Sequence, residues 1–362
     1  MSNDTVIVQA SDLFGMIDKV FQALGAPEDQ AHIIADTLVD ADLRGVHSHG
    51  AMRLNVYPQR IRGGAVSAVA KTHILKEGPS TILFDGGNGM GQVVAYRAME
   101  LALRKASETG VGVVGVRHSN HFGAAAYFAN MAVERDMVGL VFTVSSVNVM
   151  AAWGSTDKLL GNNPLAIGAP AGNELPLLFD MAMSVAAVGK IKLASFEGRP
   201  IPKGWALDKY GEPTTDASEA LDGLAAPVGG YKGSGLALMV ATVAGLLTGG
   251  ALGSEVKDIF TNLGEPQNTG HTFMAIDIER FVPVSEFKSR ADQFIRELKE
   301  SNKARGVEEI LMPGEREFAL KEVRRKNGIP LSKEVVQQIN QVAVDLGVTP
   351  VEGKSIEEAV NR

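Results

Sequence analysis

From about residue 73 the chain alternates short β-rich apolar runs with helical segments, and this alternation constrains the fold more than any other feature. Ser80–Phe84, Val111–Val116, Val138–Ser145, Leu165–Ala169, Leu177–Phe179 and Thr272–Ile278 read as strands. Val93–Thr109, Ala124–Arg135 and Gly235–Leu247 read as helices between them. Such alternation predicts an α/β core. Before it, Ser11 is a candidate N-cap for a helix ending near Leu24. A second helix opens at Pro27, carries Ile33, Ile34, Leu38 and Leu43 at helical spacing and stops near Gly45. A third, short helix is expected through Arg53 and Tyr57. From Val284 the sequence turns charged and helical again. The expected organisation is a helical N-terminal part (1–72) packed with a helical C-terminal part (285–362), flanking an α/β body (73–284).

One motif invites a wrong fold. Gly110-Val-Gly112-Val-Val-Gly115 spells G-x-G-x-x-G, but the dinucleotide fingerprint must follow a strand and open a helix. Here a helix precedes the glycines and they lie inside an apolar strand. No acidic residue ends a strand about 20 positions on, so a Rossmann arrangement is rejected. The cluster Gly86-Gly87-Asn88-Gly89-Met90-Gly91 lacks the spacing too and reads as a loop.

Composition closes other routes. With no cysteine, thiolate zinc sites, disulfides and cysteine nucleophiles are excluded. A formal net charge of −7 without a basic stripe argues against nucleic acid as a partner. The uncharged run between Lys232 and Glu255 holds six glycines and reads as a buried core helix rather than a membrane span. The opening residues carry no basic segment followed by an apolar one, so no signal peptide is expected and a cytoplasmic location is.

Four of the seven histidines fall in two tight groups, His47-x-His49 and His118-x-x-His121. Imidazole titrates near working pH, so either group could move a proton. H-x-H also serves as a metal-ligand pair, which leaves open a metal-dependent hydrolase built from all four, although neither cluster contains an acid. Loop capping is the structural alternative. Arg53 follows His49 by four residues. It could clamp a carboxylate while the histidine protonates a neighbouring oxygen, or simply pair with Asp40 or Asp42. Lys232, in GGYKGSG, could join backbone amides in an anion site. Asp180, in LFDMAMS, could accept from a ribose, orient an imidazole or cap the next turn.

Taken together, ADLRGVHSHGAMRL, RHSNHFGAAAYFA, GNNPLAIGAP, FDMAMSVAAVGKI, GWALDKYGEPTTD and GGYKGSGLALM, in this order, resemble the malate/L-lactate dehydrogenase family of NAD(P)-dependent oxidoreductases. The resemblance runs from about residue 10 to MPGERE at 312–317. It implies an α/β fold that is not Rossmann-type: a mixed central sheet with flanking helices, and N- and C-terminal helices packed together. It implies a homodimer acting on a small-molecule acid, with no metal. Catalytic roles fall by motif on His49, with Ser48 beside it, and on His121, the proton-transfer role being open between the two histidines. Arg53 matches the substrate-carboxylate binder. His121, Gly123, Ser145, Phe179, Asp180, Met181, Ala182, Lys232, Gly314 and Glu315 match cofactor-contacting segments. The cofactor is NAD or NADP, with NAD favoured. RGVHSHG, with His47 where Asp is frequent, resembles the ureidoglycolate dehydrogenase branch. Lys190, where imine-reducing members tend to carry an acid, favours a 2-hydroxy acid.

Overall fold

The computed structural model describes residues 4–355. The N-terminal segments are β1 (Thr5–Val8), α1 (Ala10–Ala23), α2 (Glu28–Leu43) and α3 (Tyr57–Arg62). Ser11 does not cap α1. The N-cap is Gln9, and the Ser11 hydroxyl turns to Asp12 inside the first turn. α2 stops where the sequence placed its end, at Gly45, whose φ of +84° suits glycine.

The body begins with β2 (His73–Glu77), β3 (Thr81–Asp85), α4 (Gly91–Thr109) and β4 (Val111–Ser119). It continues through α5 (Ala125–Val133), β5 (Met137–Thr143) and a small ribbon, β6 (Asn148–Met150) with β7 (Leu160–Gly161). Then come β8 (Leu165–Ala169) and β9 (Leu177–Met181). A satellite unit follows: α6 (Val188–Phe196), β10 (Ala206–Leu207), β11 (Pro213–Thr214), α7 (Ala217–Asp222) and β12 (Leu224–Ala225). It has its own small core of Ile191, Ala194, Ile201, Ala206, Ala217 and Ala220. The remaining described elements are α8 (Tyr231–Ala241), β13 (Thr269–Asp277), α9 (Val284–Glu300), α10 (Glu315–Asn327), β14 (Ile329–Ser332), α11 (Lys333–Asp345) and β15 (Lys354–Ser355).

Seven strands form the central sheet in the order β2-β3-β4-β13-β5-β8-β9. Only β3 and β4 run parallel; the other neighbouring pairs are antiparallel. The sheet is therefore mixed, and a doubly wound parallel fold is ruled out. The misleading glycines have a packing role. Gly110, at φ +91°, ends α4 in the left-handed region and donates to the Ala106 carbonyl. At Gly112 a Cβ would stand 1.9 Å from the Ala102 carbonyl oxygen. The missing side chain lets α4 lie directly on β4, with Val94, Ala95, Ala98, Met99, Ala102 and Ala106 buried along its inner face.

The uncharged run departs from the expectation of a buried helix. α8 continues into a π-turn (Thr242–Leu246). Ala237, Val240, Ala241, Ala244 and Gly245 face inward, and Thr272 of β13 donates its hydroxyl to the Val243 carbonyl. The other face bears Leu236, Leu238, Met239, Leu246 and Leu247, the last two about two-thirds exposed at 68% and 67%. The helix is apolar all round, but the sheet covers only one side of it. Among the described residues no helix is long and apolar enough to cross a membrane.

α2 and α10 are tied by Lys321 to Asp40 and by Arg324 to the Asp42 carbonyl, while β1 lies between β14 and β15. α9 instead grips the body. Its buried Asp292 accepts the amides of Gly172, Asn173 and Glu174 between β8 and β9.

Candidate active site

The segment after α2 is shaped by one carboxylate. Asp42, almost fully buried, accepts from the His47 ring at Nδ1 (2.7 Å) and from the Ala51 amide (2.7 Å). Gly50 passes so close that a Cβ would stand 2.2 Å from the Asp42 carboxyl carbon. The chain responds with two short 3-10 turns, His47–His49 and Ala51–Asn55, and then α3. This tight path fixes His49, Arg53 and Tyr57 on one wall.

The opposite wall comes from the end of β4. His121 stacks on His49, with ring centroids 5.4 Å apart and planes inclined by 26°. Each imidazole is held through Nδ1: the Ser48 hydroxyl lies 2.8 Å from that of His49, and the Tyr57 hydroxyl 2.7 Å from that of His121. Neither Nε2 has a protein partner among the described residues. Gln267 accepts the His121 amide at 3.4 Å. Gln92 is fully buried at the start of α4, with neither amide atom in a well-formed hydrogen bond.

The four histidines do not converge. His47 is engaged by Asp42 and Arg324, and His118, at φ +49°, bonds Asp85 through Nδ1 at 2.8 Å. Among the described residues no three His, Cys, Asp or Glu side chains gather as a metal site. The four-histidine hydrolase expectation is thereby corrected, because each outer histidine already has a carboxylate of its own.

Arg53 is the electrostatic centre. It pairs with neither Asp40, which binds Arg44 and Lys321, nor Asp42. Its Nε is buried without a partner, and its guanidinium lies 5.4 Å from the centroid of the Phe260 ring. Arg60 holds that loop in place through the carbonyls of Asn262 and Glu265. Burial, with the Arg53 charge adding to it, lowers the His49 pKa to about 3. The same two causes, in the same order, hold His121 well below the ordinary histidine value. Both rings are thus neutral at pH 7. Burial raises the Tyr57 pKa, so its phenol keeps its proton.

Several remaining residues share one end of the sheet. β4 ends at Ser119 opposite Thr269, β5 ends at Thr143 opposite His271, and Met181 ends β9 opposite Leu165. His121, Gly123, Ser145, Met181 and Ala182 therefore follow strands that finish on the same side. His271 pins this end, fully buried between Thr143 Oγ1 (2.7 Å) and Ser119 Oγ (2.9 Å). The Ser145 amide bonds Asn163. Gly123, at φ +92°, has open space where a side chain would be, its nearest neighbour being the His49 carbonyl at 3.9 Å.

Asp180 does cap a helix, but α5 rather than the turn after its own strand: its carboxylate accepts the Ala126 amide at 2.8 Å. Crowding by protein pushes its pKa up to about 6, although one side stays open to solvent. Phe179 beside it is exposed. Gly314, at φ +85°, packs on Leu178 of β9, while Glu315 accepts the Met312 amide and binds Lys299. Lys232 projects from the first turn of α8 into solvent.

A family profile described as malate/L-lactate dehydrogenase matches residues 8–340. The chain belongs to this family. The malate dehydrogenase of Pyrococcus horikoshii is 44% identical, over 93% of this chain and 94% of that protein. A solved structure of malate dehydrogenase from the same organism superposes with a TM-score of 0.88 at 41% identity, over 96% of this chain and 98% of that one. The L-sulfolactate dehydrogenase of Methanocaldococcus jannaschii is 42% identical over 92% and 95%. The NAD(+) ureidoglycolate dehydrogenase of Escherichia coli K12 is 32% identical over 92% and 94%. In this malate/L-lactate dehydrogenase family member, sequence reasoning missed Tyr57, Gln267 and Phe260 as parts of the site. Tyr57 had a signal, since it repeats the four-residue step from His49 to Arg53. The other two come from a loop more than 130 residues beyond His121 and left no local trace.

Proposed function

We propose that the protein is an NAD(P)-dependent oxidoreductase that exchanges a hydride between the nicotinamide and a small 2-hydroxy or 2-oxo acid. The observation that carries this reading is Arg53, a half-buried cation with no acidic partner beside two neutral imidazoles whose Nε2 atoms are free. Such a cation suits a carboxylate, which a guanidinium grips in two-point fashion.

The residues present suit a nicotinamide dinucleotide. Gly123 leaves open space just before the N-terminus of α5, where a missing side chain lets a ligand approach the backbone closely. Ser145, Asp180–Ala182 and the Gly314–Glu315 turn would hold the rest, and NAD is favoured over NADP. When bound, the cofactor accepts or returns the hydride. Arg53 fixes the substrate carboxylate and so sets which face of C2 is presented. A neutral His49, steadied through Nδ1 by Ser48, takes the hydroxyl proton on Nε2 as the alcohol is oxidised and returns it in the reverse direction. Tyr57, which keeps its proton, orients His121 as a neighbouring donor. Because an arriving carboxylate neutralises Arg53, it also raises the His49 pKa from its free-enzyme value, so the base becomes stronger when substrate is present.

His47 is engaged with Asp42 and Arg324 rather than with the imidazole pair, so it gives no support to ureidoglycolate over the simpler acids. We assign the exposed apolar face of α8 to a homodimer contact; large exposed apolar rows of this kind are normally covered. An absorbance screen at 340 nm with NADH and NADPH against oxaloacetate, pyruvate, sulfopyruvate and a cyclic imine tests the reading. Turnover of a 2-oxo acid that falls roughly 10²–10⁴-fold in His49→Ala supports it. Inactivity with every acid, or near-normal turnover in both His49→Ala and His121→Ala, refutes it.

A further inference from the structure

α4 and the glycine-rich loop before it pack on the strand end that carries His121. At Gly91 a Cβ would stand 2.2 Å from the Asn120 carbonyl oxygen and 2.4 Å from that of His121. The first turn of α4 therefore lies directly on this backbone. Asn120 locks the contact, because its Nδ2 donates to the Gly89 carbonyl (2.9 Å) and to Asn88 Oδ1 (3.1 Å). The glycines at 89 and 91, which fit no nucleotide motif, thus serve close packing behind the site. The next residue on that turn is Gln92. Its side chain is wholly buried, and neither amide atom has a hydrogen-bond partner among the described residues. A buried amide left unbonded is costly and calls for a reason.

The reason lies one side chain away from the imidazoles. Tyr57 is buried, and its hydroxyl is 2.7 Å from His121 Nδ1. Burial raises the Tyr57 pKa, and the Gln92 amide works against burial, as a donor to the phenol oxygen does. The two side chains are thus neighbours just short of an aligned bond, and catalytic bonds of this kind commonly tighten in the substrate complex. A phenol has one proton to give. With a Gln92 N–H donating to the Tyr57 oxygen, the Tyr57 proton is left for His121 Nδ1, and the His121 ring proton sits on Nε2. With Gln92 accepting instead, the Tyr57 proton is used up. His121 then has to donate from Nδ1, and its Nε2 becomes a second acceptor beside that of His49. We infer that Gln92 is a positioning residue that sets the His121 tautomer through Tyr57, so that His121 Nε2 presents a proton to the substrate oxygen while His49 Nε2 presents a lone pair. The inference rests on the dehydrogenase reading and deepens it. It divides the stacked imidazoles into one donor, which polarises the C2 oxygen, and one acceptor, which moves the hydroxyl proton.

Proton–nitrogen correlation spectra of protein with nitrogen-labelled histidine, saturated with NADH and oxamate, read the tautomer directly, and His121→Gln assigns the signal. Wild type is expected to carry the His121 proton on Nε2, and Gln92→Met to show both tautomers. In steady state, Gln92→Met is expected to lower kcat for a 2-oxo acid about fivefold, the worth of one neutral hydrogen bond, with KM within about twofold of wild type. Its resistance to guanidinium holds or improves, because an apolar chain of similar shape replaces an unbonded amide. Tyr57→Phe lowers kcat at least as much, and adding Gln92→Met to it costs nothing more. A wild-type His121 proton on Nδ1 overturns the inference, whether or not any Gln92 variant folds. So does a kcat within about twofold of wild type in Gln92→Met, an additive loss in the double variant, or a loss of kcat that comes with lost stability and an unchanged tautomer. If wild type reduces no 2-oxo acid, the dehydrogenase reading itself falls. If it does and the tautomer is indifferent to Gln92, only the inference falls.

Discussion

Arg53→Met separates a functional cation from a structural one, because the two roles predict opposite effects on stability. In the free protein Arg53 has no acidic partner and an unbonded, buried Nε, and burial lowers its pKa. Removing it orphans no carboxylate. Fold stability should therefore stay level or rise by about 1 kcal/mol, as buried desolvation is relieved. Activity should move the other way. Deleting one member of a hydrogen-bonded charge pair costs about 2–5 kcal/mol, so taking about 4 kcal/mol, kcat/KM for a 2-hydroxy acid should fall about a thousandfold. The loss should appear mainly in KM. The same substitution removes the positive charge that helps depress the His49 and His121 pKa values. The His49 pKa should rise from about 3, and the acid limb of the kcat/KM profile should shift upward with it. Steady-state rates at 340 nm and guanidinium unfolding supply the two numbers. A KM within threefold of wild type, or a stability loss above about 2 kcal/mol, would refute the clamp.

Two further outcomes follow from buried groups and exposed surface. His271 is wholly buried, with a pKa lowered to about 3 chiefly by burial, against about 6.5 when unfolded. Below pH 6.5 the unfolded chain binds a proton that the folded chain refuses, so stability present above 6.5 drains away by about 1.4 kcal/mol per pH unit as pH falls toward 3. Asp180, raised to about 6, acts in the opposite direction, but its open side mutes it. The difference between wild type and His271→Gln in urea melts at pH 7.5, 6 and 5 isolates the histidine, and a pH-independent difference would contradict its buried, neutral state. Leu246→Glu with Leu247→Glu should turn a sedimenting dimer into a monomer, whereas a wild type that already sediments as a monomer removes the α8 contact.

Much of this was legible in the chain because local patterns carried it. Helical spacing marked α2 and its stop at Gly45, and the order helix-then-glycines exposed the false fingerprint at 110–115. The four-residue step from His49 to Arg53 anticipated their common wall. What stayed hidden depends on contacts distant in sequence. β13 inserts between β4 and β5 although it follows both by well over a hundred residues, so the neighbours of its strand could not be read locally. β1 and β2 were missed because β1 finds its partners at the far end of the chain and β2 is a wholly exposed edge strand. α8 was expected to be buried because its composition is apolar on every side, and composition does not say how many sides are covered. Asp42 and Asp85 each remove one histidine from the site. That division of the histidine pairs follows from which carboxylate each ring meets, and it has no signature in the spacing H-x-H or H-x-x-H.

The most direct test is a crystal structure of the protein with NADH and an unreactive analogue of a 2-oxo acid. The account predicts the carboxylate gripped by Arg53, the C2 oxygen within hydrogen-bond reach of His49 Nε2 and the nicotinamide alongside His121. A carboxylate bound elsewhere, with Arg53 left unpaired, would contradict it.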